Sequence, residues 1–254
     1  MRYKTYTGVV LKKTAWREAD EILTTWTMEE GKIRLLARGL KHPTSKLRAG
    51  LAPLSWIEFS TSSALGFPVI IGSRSIHNYN AILQSLPKLA SAFNIFEYVL
   101  KSTPDRQASP ELSVLLREAF NALDVMEEKQ LTNFLNAFLA RFITTMGFGL
   151  SLSICTMCGQ TVAPSMRVNF SHLQCGLVCD RCVSGDRTAV TVLPRVIMYI
   201  LSLQAATQFL GKTEAGAEVV SGAKKLLSET MRFILEREIQ SSRFFEARVA
   251  QDTF

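Results

Sequence analysis

The chain has 254 residues, 47% of them hydrophobic and 20% charged, with 29 Lys plus Arg against 22 Asp plus Glu and a formal charge of +7. That length fits one large domain or two to three small ones, and the apolar content excludes wholesale disorder. The opening MRYKTYTGVVLKK lacks the apolar run of a signal peptide, and the longest uncharged stretch, from Phe142 to Met166, is broken by Gly, Pro and a Cys-x-x-Cys. Neither export nor a membrane span is therefore expected, and a cytoplasmic protein is. Five cysteines in so long a chain do not make a disulfide framework.

The charge is unevenly placed. Residues 1–80 hold 12 Lys or Arg and 6 Asp or Glu, whereas the rest of the chain holds 17 and 16. A surface that neutralises phosphates needs such an excess, although a solvated basic face has the same composition.

From Tyr3 to about Asn78 the pattern favours strands. Thr5, Thr7, Val9 and Leu11 alternate with other residues, as do Ile22, Thr24, Trp26 and Met28. Ile33–Ala37, Leu54–Phe59 and Val69–Ile71 complete five short strands, separated by turn signals at Glu30-Gly31, Gly39, Pro43, Pro53 and Gly66-Phe67-Pro68. Five strands without an intervening helical period predict a small barrel, which removes exposed edges. An OB-fold is the first choice, and strand count alone does not separate it from an SH3-like barrel. The expected division is a basic barrel over 1–80 followed by a helical domain over 81–254, giving an α+β multidomain protein.

Beyond Pro87 the period changes to that of helices. A short helix is expected around Phe93–Lys101. Leu112, Leu115, Leu116, Ala119, Phe120 and Leu123 then recur at helical spacing behind Ser109 as N-cap and Pro110 as first residue. Leu131, Phe134, Leu135, Phe138, Leu139, Phe142, Ile143 and Met146 form a second stripe, stopped by Gly147 and Gly149. Such a Phe-rich stripe is core far more often than a ligand groove. Pro194 opens a helix through Val196–Leu210 with Gly211 as terminator. A last helix over Ala215–Glu238 turns Val220, Ala223, Leu227, Met231 and Ile234 inward. The expectation is one bundle of about five helices.

Between these helices, at about 151–190, lies Cys155-Thr-Met-Cys158-Gly, followed after 20 residues by Cys179-Asp-Arg-Cys182. Two Cys-x-x-Cys knuckles complete the tetrahedral four-thiolate template of a structural Zn²⁺ site, one ion per chain, with no open position for water. Cys155, Cys158, Cys179 and Cys182 are the expected ligands. Cys175 and His172 lie near enough to offer alternative sets, and a redox pair is the rival chemistry. Bound zinc with four thiolates carries −2, lowering the effective charge from +7 to about +5.

No catalytic arrangement stands out. Neither G-x-x-x-x-G-K-[ST] nor G-x-G-x-x-G occurs, and His42, His77 and His172 sit in no hydrolase motif. Asp20-Glu21 and Glu29-Glu30 are adjacent pairs whose members point to opposite faces of a strand, so neither is an acid/base dyad. The expectation is a binding protein, not an enzyme, with no small-molecule substrate.

At this point the residues resemble a family. Gly8-Val9-Val10-Leu11-Lys12-Lys13, Trp16-Arg17-Glu18-Ala19-Asp20, Thr27-Met28-Glu29-Glu30-Gly31-Lys32 and Arg38-Gly39-Leu40-Lys41 look like the start of the bacterial RecO family of recombination mediators. The resemblance continues in Thr44–Arg48 and Leu51–Leu54, and again in Phe142–Phe148 leading into both cysteine knuckles. One departure is Cys175-Gly176, where the family more usually has a glycine-rich turn.

The resemblance implies an N-terminal OB-fold and a helical domain carrying a zinc site. It also implies binding of single- and double-stranded DNA, annealing of complementary strands, and loading of RecA with RecR on strands covered by single-strand-binding protein. The expected phosphate contacts are Lys12, Lys13, Arg17, Lys32, Arg34, Arg38, Lys41, Lys46 and Arg48. Trp16 fits either base stacking or barrel core. For the acidic, apolar tail of single-strand-binding protein, Arg117, Lys129 and Arg141 are the candidate rim cations. A zinc-containing protein-interaction or transcription-regulatory module is the alternative, disfavoured because the positive charge lies far from the cysteines.

Overall fold

A computed structural model describes residues 2–52, 54–63, 67–162, 167–206, 209 and 215–249, without the side chains of Arg2, Ser63 and 236–249. Two compact units divide at Glu128 and Lys129.

The first unit begins with the five expected strands, longer than the periodicity suggested: β1 Arg2–Ala15, β2 Glu21–Thr27, β3 Gly31–Ala37, β4 Ser55–Ser63 and β5 Val69–Asn78. They close into a barrel in the order β1-β2-β3-β5-β4. Closure depends on β1, whose first half pairs with β4 and second half with β2, both antiparallel. Gly8 sits where the two ladders overlap, opposite both Thr27 and Ile57. A Cβ there would lie 1.9 Å from the Trp26 carbonyl oxygen, so only glycine allows the double pairing. A single parallel contact, Leu36 to Val69, joins β3 to β5. Inside lie Tyr6, Val10, Leu23, Ile33, Leu35, Ile57, Phe59 and Ile70, the inward members of each alternation.

Three further helices belong to this unit: α2 Asn80–Gln84, α3 Leu86–Ser102 and α4 Pro110–Val125. A single turn, α1 Leu47–Gly50, lies between β3 and β4. The helix expected at Phe93–Lys101 thus starts seven residues earlier. Ser85 caps it through Lys88 N–H, and Pro87 stands in its first turn, where proline's missing donor is not needed. Ser109 caps α4 as expected, its hydroxyl accepting from Leu112 N–H at 3.1 Å. Trp26, 1% exposed, donates its indole N–H to Ser113 Oγ at 3.0 Å and so ties the barrel to α4.

The second unit holds α5 Leu131–Thr145, α6 Pro194–Ala205 and α7 Ala217–Val249, with a three-stranded antiparallel sheet of β6 Val168–Ser171, β7 Gly176–Val178 and β8 Ala189–Val192. The single five-helix bundle is therefore corrected. The helices are shared between the units, and the cysteine segment contains a sheet that its short runs did not announce. Phe134, Phe138 and Phe142 are buried core. On α7 the inward set is Val219, Ala223, Leu226, Leu227, Met231 and Ile234, with Val220 only half-buried. The helix opened by Pro194 ends at Ala205, and the expected terminator Gly211 lies outside the described residues, as do the turn residues Pro53 and Gly66. Among the described residues, no helix is long and apolar enough to cross a membrane.

Candidate metal centre and nucleic-acid face

Each cysteine knuckle is built by local backbone turns. Gly159 N–H donates to Cys155 O at 2.9 Å, with Gly159 at a φ of 73°, and Cys182 N–H donates to Cys179 O at 2.9 Å. Thr156 N–H reaches Leu177 O on β7, which docks the first knuckle beside the strand that leads into the second. The sulfurs of Cys155, Cys158, Cys179 and Cys182 consequently lie within 4.8 Å of one another. Cys158 and Cys179 Sγ are 3.7 Å apart. A tetrahedron with Zn–S arms of about 2.3 Å has edges of about 3.8 Å, so the Cys158–Cys179 pair already stands at the spacing a bound ion needs. Burial works against ionisation of Cys155. Backbone N–H groups of Cys179, Cys158 and Met157 outweigh it and bring that thiol down to about 6. Cys182 goes the other way, up to about 12, chiefly through its hydrogen bond with Cys179. Cys155 and Cys182 are thus pushed in opposite directions, and a bound dication would favour the thiolate form of its ligands.

Neither alternative ligand joins this cluster. His172, 2% exposed, places Nδ1 2.9 Å from Thr230 Oγ1, Nε2 3.3 Å from Glu229 Oε2, and its ring flat against Phe233. Cys175 occupies the β6–β7 turn at a φ of 51°, the left-handed conformation that glycine adopts freely. Gly176 beside it approaches the Ser151 carbonyl so closely that a Cβ would sit 2.7 Å away.

On the barrel, Lys12, Thr24 and Arg34 face one another across β1, β2 and β3 and lie on the outer wall. They line a groove of about 760 Å³ with Trp16, Phe67 and Phe93. These three rings are 53%, 45% and 53% exposed, which settles Trp16 as surface, not core. Carboxylates temper the groove's charge. Glu97 pairs with Lys101, and Asp105 lies 3.5 Å from Lys32 and 3.9 Å from Arg34. Phe67 and Phe93 were not anticipated as site residues. Phe67 stands in a Gly-Phe-Pro turn, where an aromatic ring has no core to enter, and that signal was available.

The remaining cations divide. Lys32 is withdrawn from the phosphate set. Its ammonium donates to Leu100 O at 2.9 Å and to Thr103 O, supplying donors to carbonyls at the end of α3. Lys13, Lys41 and Arg48 border a separate cavity of about 480 Å³. Arg17, Arg38 and Lys46 are exposed on the loops beside it. Three members of the acidic pairs hold backbone or side-chain donors: Asp20 accepts from Gly39 N–H at 2.8 Å, Glu29 from Thr7 N–H, and Glu30 from Tyr6 and Arg106.

The three expected rim cations are divided between the two units. Arg117 on α4 lines a cavity of about 420 Å³ with Trp56, Tyr79 and Asp124 in the first unit. Lys129 and Arg141 belong to the second, where Arg141 stacks over Phe209 at 4.5 Å.

A closed barrel with a cationic, aromatic wall and a four-cysteine cluster in a separate helical unit define a two-unit α+β protein. The chain belongs to the recombination protein O family. The family's N-terminal part matches residues 1–78 and its C-terminal part residues 83–243. The two parts thus meet near residue 80 in sequence, while the compact units divide at 128 because α2–α4 pack with the barrel. Similar proteins include the DNA repair protein RecO of Acetivibrio thermocellus, 28% identical over 93% of this chain and 94% of its own length. That of Exiguobacterium sibiricum is 27% identical over 91% and 89%, and that of Listeria welshimeri 28% over 77% and 74%.

Proposed function

We propose that the chain is a DNA-binding recombination mediator in DNA repair, without catalytic activity of its own. In this reading the barrel is an OB-fold that binds and anneals single strands. The protein works with RecR and single-strand-binding protein to assist loading of RecA, and acts at the nucleoid. Family membership and the relatives' names support the repair role. The observation that carries the DNA role is the outer groove, which three exposed rings and the cations Lys12 and Arg34 line together. Bases stack on rings whatever their identity, and the cations neutralise the backbone between them. Trp16 stands in the loop after β1 and Phe67 in the loop before β5, the two loops with which OB-folds embrace oligonucleotides.

In the second unit, the four cysteines hold one Zn²⁺ as a structural ion, which when bound ties β7 to the preceding segment. The cysteine spacing and 3.7 Å sulfur contact support zinc over a redox pair. A peptide tail of single-strand-binding protein is expected on a helical surface, with Arg117 of the first unit or Lys129 and Arg141 of the second as its candidate cations.

The test is anisotropy of a labelled single-stranded oligonucleotide. Trp16→Ala/Phe67→Ala should weaken binding by about thirtyfold or more, since stacking contributes about 1–3 kcal/mol per base and two rings are removed. Affinity unchanged by the double substitution would move the strand off this groove. Annealing should proceed without ATP.

A further inference from the structure

A row of rings crosses the barrel where α4 packs on it. Val9 on β1 stands opposite Trp26 on β2 and opposite Trp56 on β4, and Trp56 stands opposite His77 on β5. Ser113, Arg117, Asn121 and Asp124 recur at helical spacing along α4 and so share one of its faces. Ser113 meets the Trp26 indole at one end of the row. At the other end Arg117, Asn121 and Asp124 line the cavity of about 420 Å³ together with Trp56, His77 and Tyr79.

The two tryptophans differ in their partners. Trp26 donates to Ser113, whereas the Trp56 N–H, on a side chain 2% exposed, reaches no acceptor among the described residues. One turn beyond Ser113, α4 presents Arg117, which is itself a donor. A buried donor left without an acceptor is costly, so the cavity beside it is short of one. Its other polar groups are open in complementary ways. Arg117 is exposed and, among the described residues, has no ion pair. Asn121 Oδ1 accepts from Tyr79 OH at 3.1 Å, which leaves the amide nitrogen to donate elsewhere. Asp124 accepts from Ile82 N–H at 3.1 Å through one oxygen and keeps the other open. Arg117 and Asp124 stand seven residues apart, about 10 Å along the helix, and do not pair with each other. Both charges still act on the Tyr79 hydroxyl, which burial pushes up to about 12, with Arg117 lowering it and Asp124 raising it. The cavity thus offers three donors with one positive charge, and two turns along the helix an open carboxylate oxygen. Ile76 and Val125, both exposed, add an apolar lip.

We propose that this cavity binds a free α-amino acid with an apolar side chain, whose carboxylate accepts from Arg117, Asn121 and Trp56 and whose ammonium donates to Asp124. A zwitterion answers both charges, whereas a simple anion would meet the Asp124 carboxylate uncompensated. Arg117 and Asn121 are exposed and can rearrange around the ligand as the indole N–H gains its acceptor. The cavity and the outer groove share no lining residue, so the proposal does not rest on the DNA reading. A peptide tail offers carboxylates without an ammonium beside them, and is a different occupant.

The experiment is isothermal titration of the full-length chain with L-leucine and L-phenylalanine, beside leucinamide, which lacks the carboxylate, and N-acetyl-leucine, which lacks the ammonium. At least one free amino acid should bind at millimolar concentration or below, and each analogue should bind at least about tenfold more weakly. Arg117→Gln, at an exposed position, should weaken binding at least about tenfold while the thermal melt of the protein matches wild type. Trp56→Phe keeps a ring and removes the donor, and should weaken binding severalfold. N-acetyl-leucine that binds as tightly as leucine overturns the proposal in favour of a carboxylate site of the kind a peptide tail would use. Leucinamide that binds as tightly overturns it in favour of a purely apolar pocket. Binding that Arg117→Gln leaves unchanged places the amino acid elsewhere on the chain, which also overturns it. Wild type that binds neither amino acid removes the site and leaves the outer-groove reading as it stands.

Discussion

The cysteine cluster and the barrel wall both present charge to a partner, and they are assembled in opposite ways. Each knuckle brings two sulfurs together within four residues, so the chain needs to solve only one long-range problem, docking one knuckle on the other through Thr156 and Leu177. The barrel wall collects Lys12, Trp16, Arg34 and Phe67 from two strands and two loops, and they meet only when the ring of strands closes. A site assembled locally survives distant change but collapses when one ligand is lost. A site assembled globally loses function in proportion to each side chain removed.

The largest effect should therefore come from the cluster. Cys158→Ser should abolish stoichiometric zinc and unfold the β6–β8 segment, because structural zinc contributes about 10–16 kcal/mol of apparent binding free energy. Cys175→Ser, outside the cluster, should leave the metal content at one per chain. Elemental analysis with near-ultraviolet circular dichroism decides both, and a Cys175→Ser protein without zinc would overturn the ligand assignment.

A smaller effect separates the units by pH. Burial holds His172 below its ordinary pKa, with Arg232 acting in the same sense and Glu229 and Asp186 opposing. The folded state therefore keeps the ring neutral, while the unfolded chain takes up a proton below about pH 6.5. The stability contributed by the neutral ring is complete above that value and declines as pH falls through it. At saturating zinc, the melting temperature should drop between about pH 7 and 5. His172→Asn, less stable at neutral pH, should flatten that decline, and an unaltered slope would refute the assignment.

The same contrast explains what could be read in the sequence. Cys-x-x-Cys is a ligand pattern written in consecutive residues, so all four sulfurs were nameable before any fold was known. Strand alternation likewise marked β1 to β5, although on β1 and β2 the residues it picked, such as Thr5, Thr7 and Val9 or Ile22, Thr24 and Trp26, lie on the face opposite the core members Tyr6, Val10 and Leu23. Lys32 was misread for the opposite reason. Its role is set by the end of α3, nearly seventy residues away in the chain, and no local pattern distinguishes a lysine that caps a helix from one that awaits a phosphate. The start of α3 was missed because Pro87 reads as a stop, although in a first turn it is tolerated. Strands β6 to β8 are three to four residues long, too short for alternation to register.

The central claim is that the cations of the first unit engage DNA through its phosphates. It is tested most directly by the affinity of the wild-type chain for a single-stranded oligonucleotide as salt is raised. Contact with about four to six phosphates predicts a slope of roughly −3 to −5 in a plot of log affinity against log salt, because each neutralised phosphate releases condensed counterion. A slope near zero would contradict the account, since binding would then owe nothing to the charge gathered on the first third of the chain.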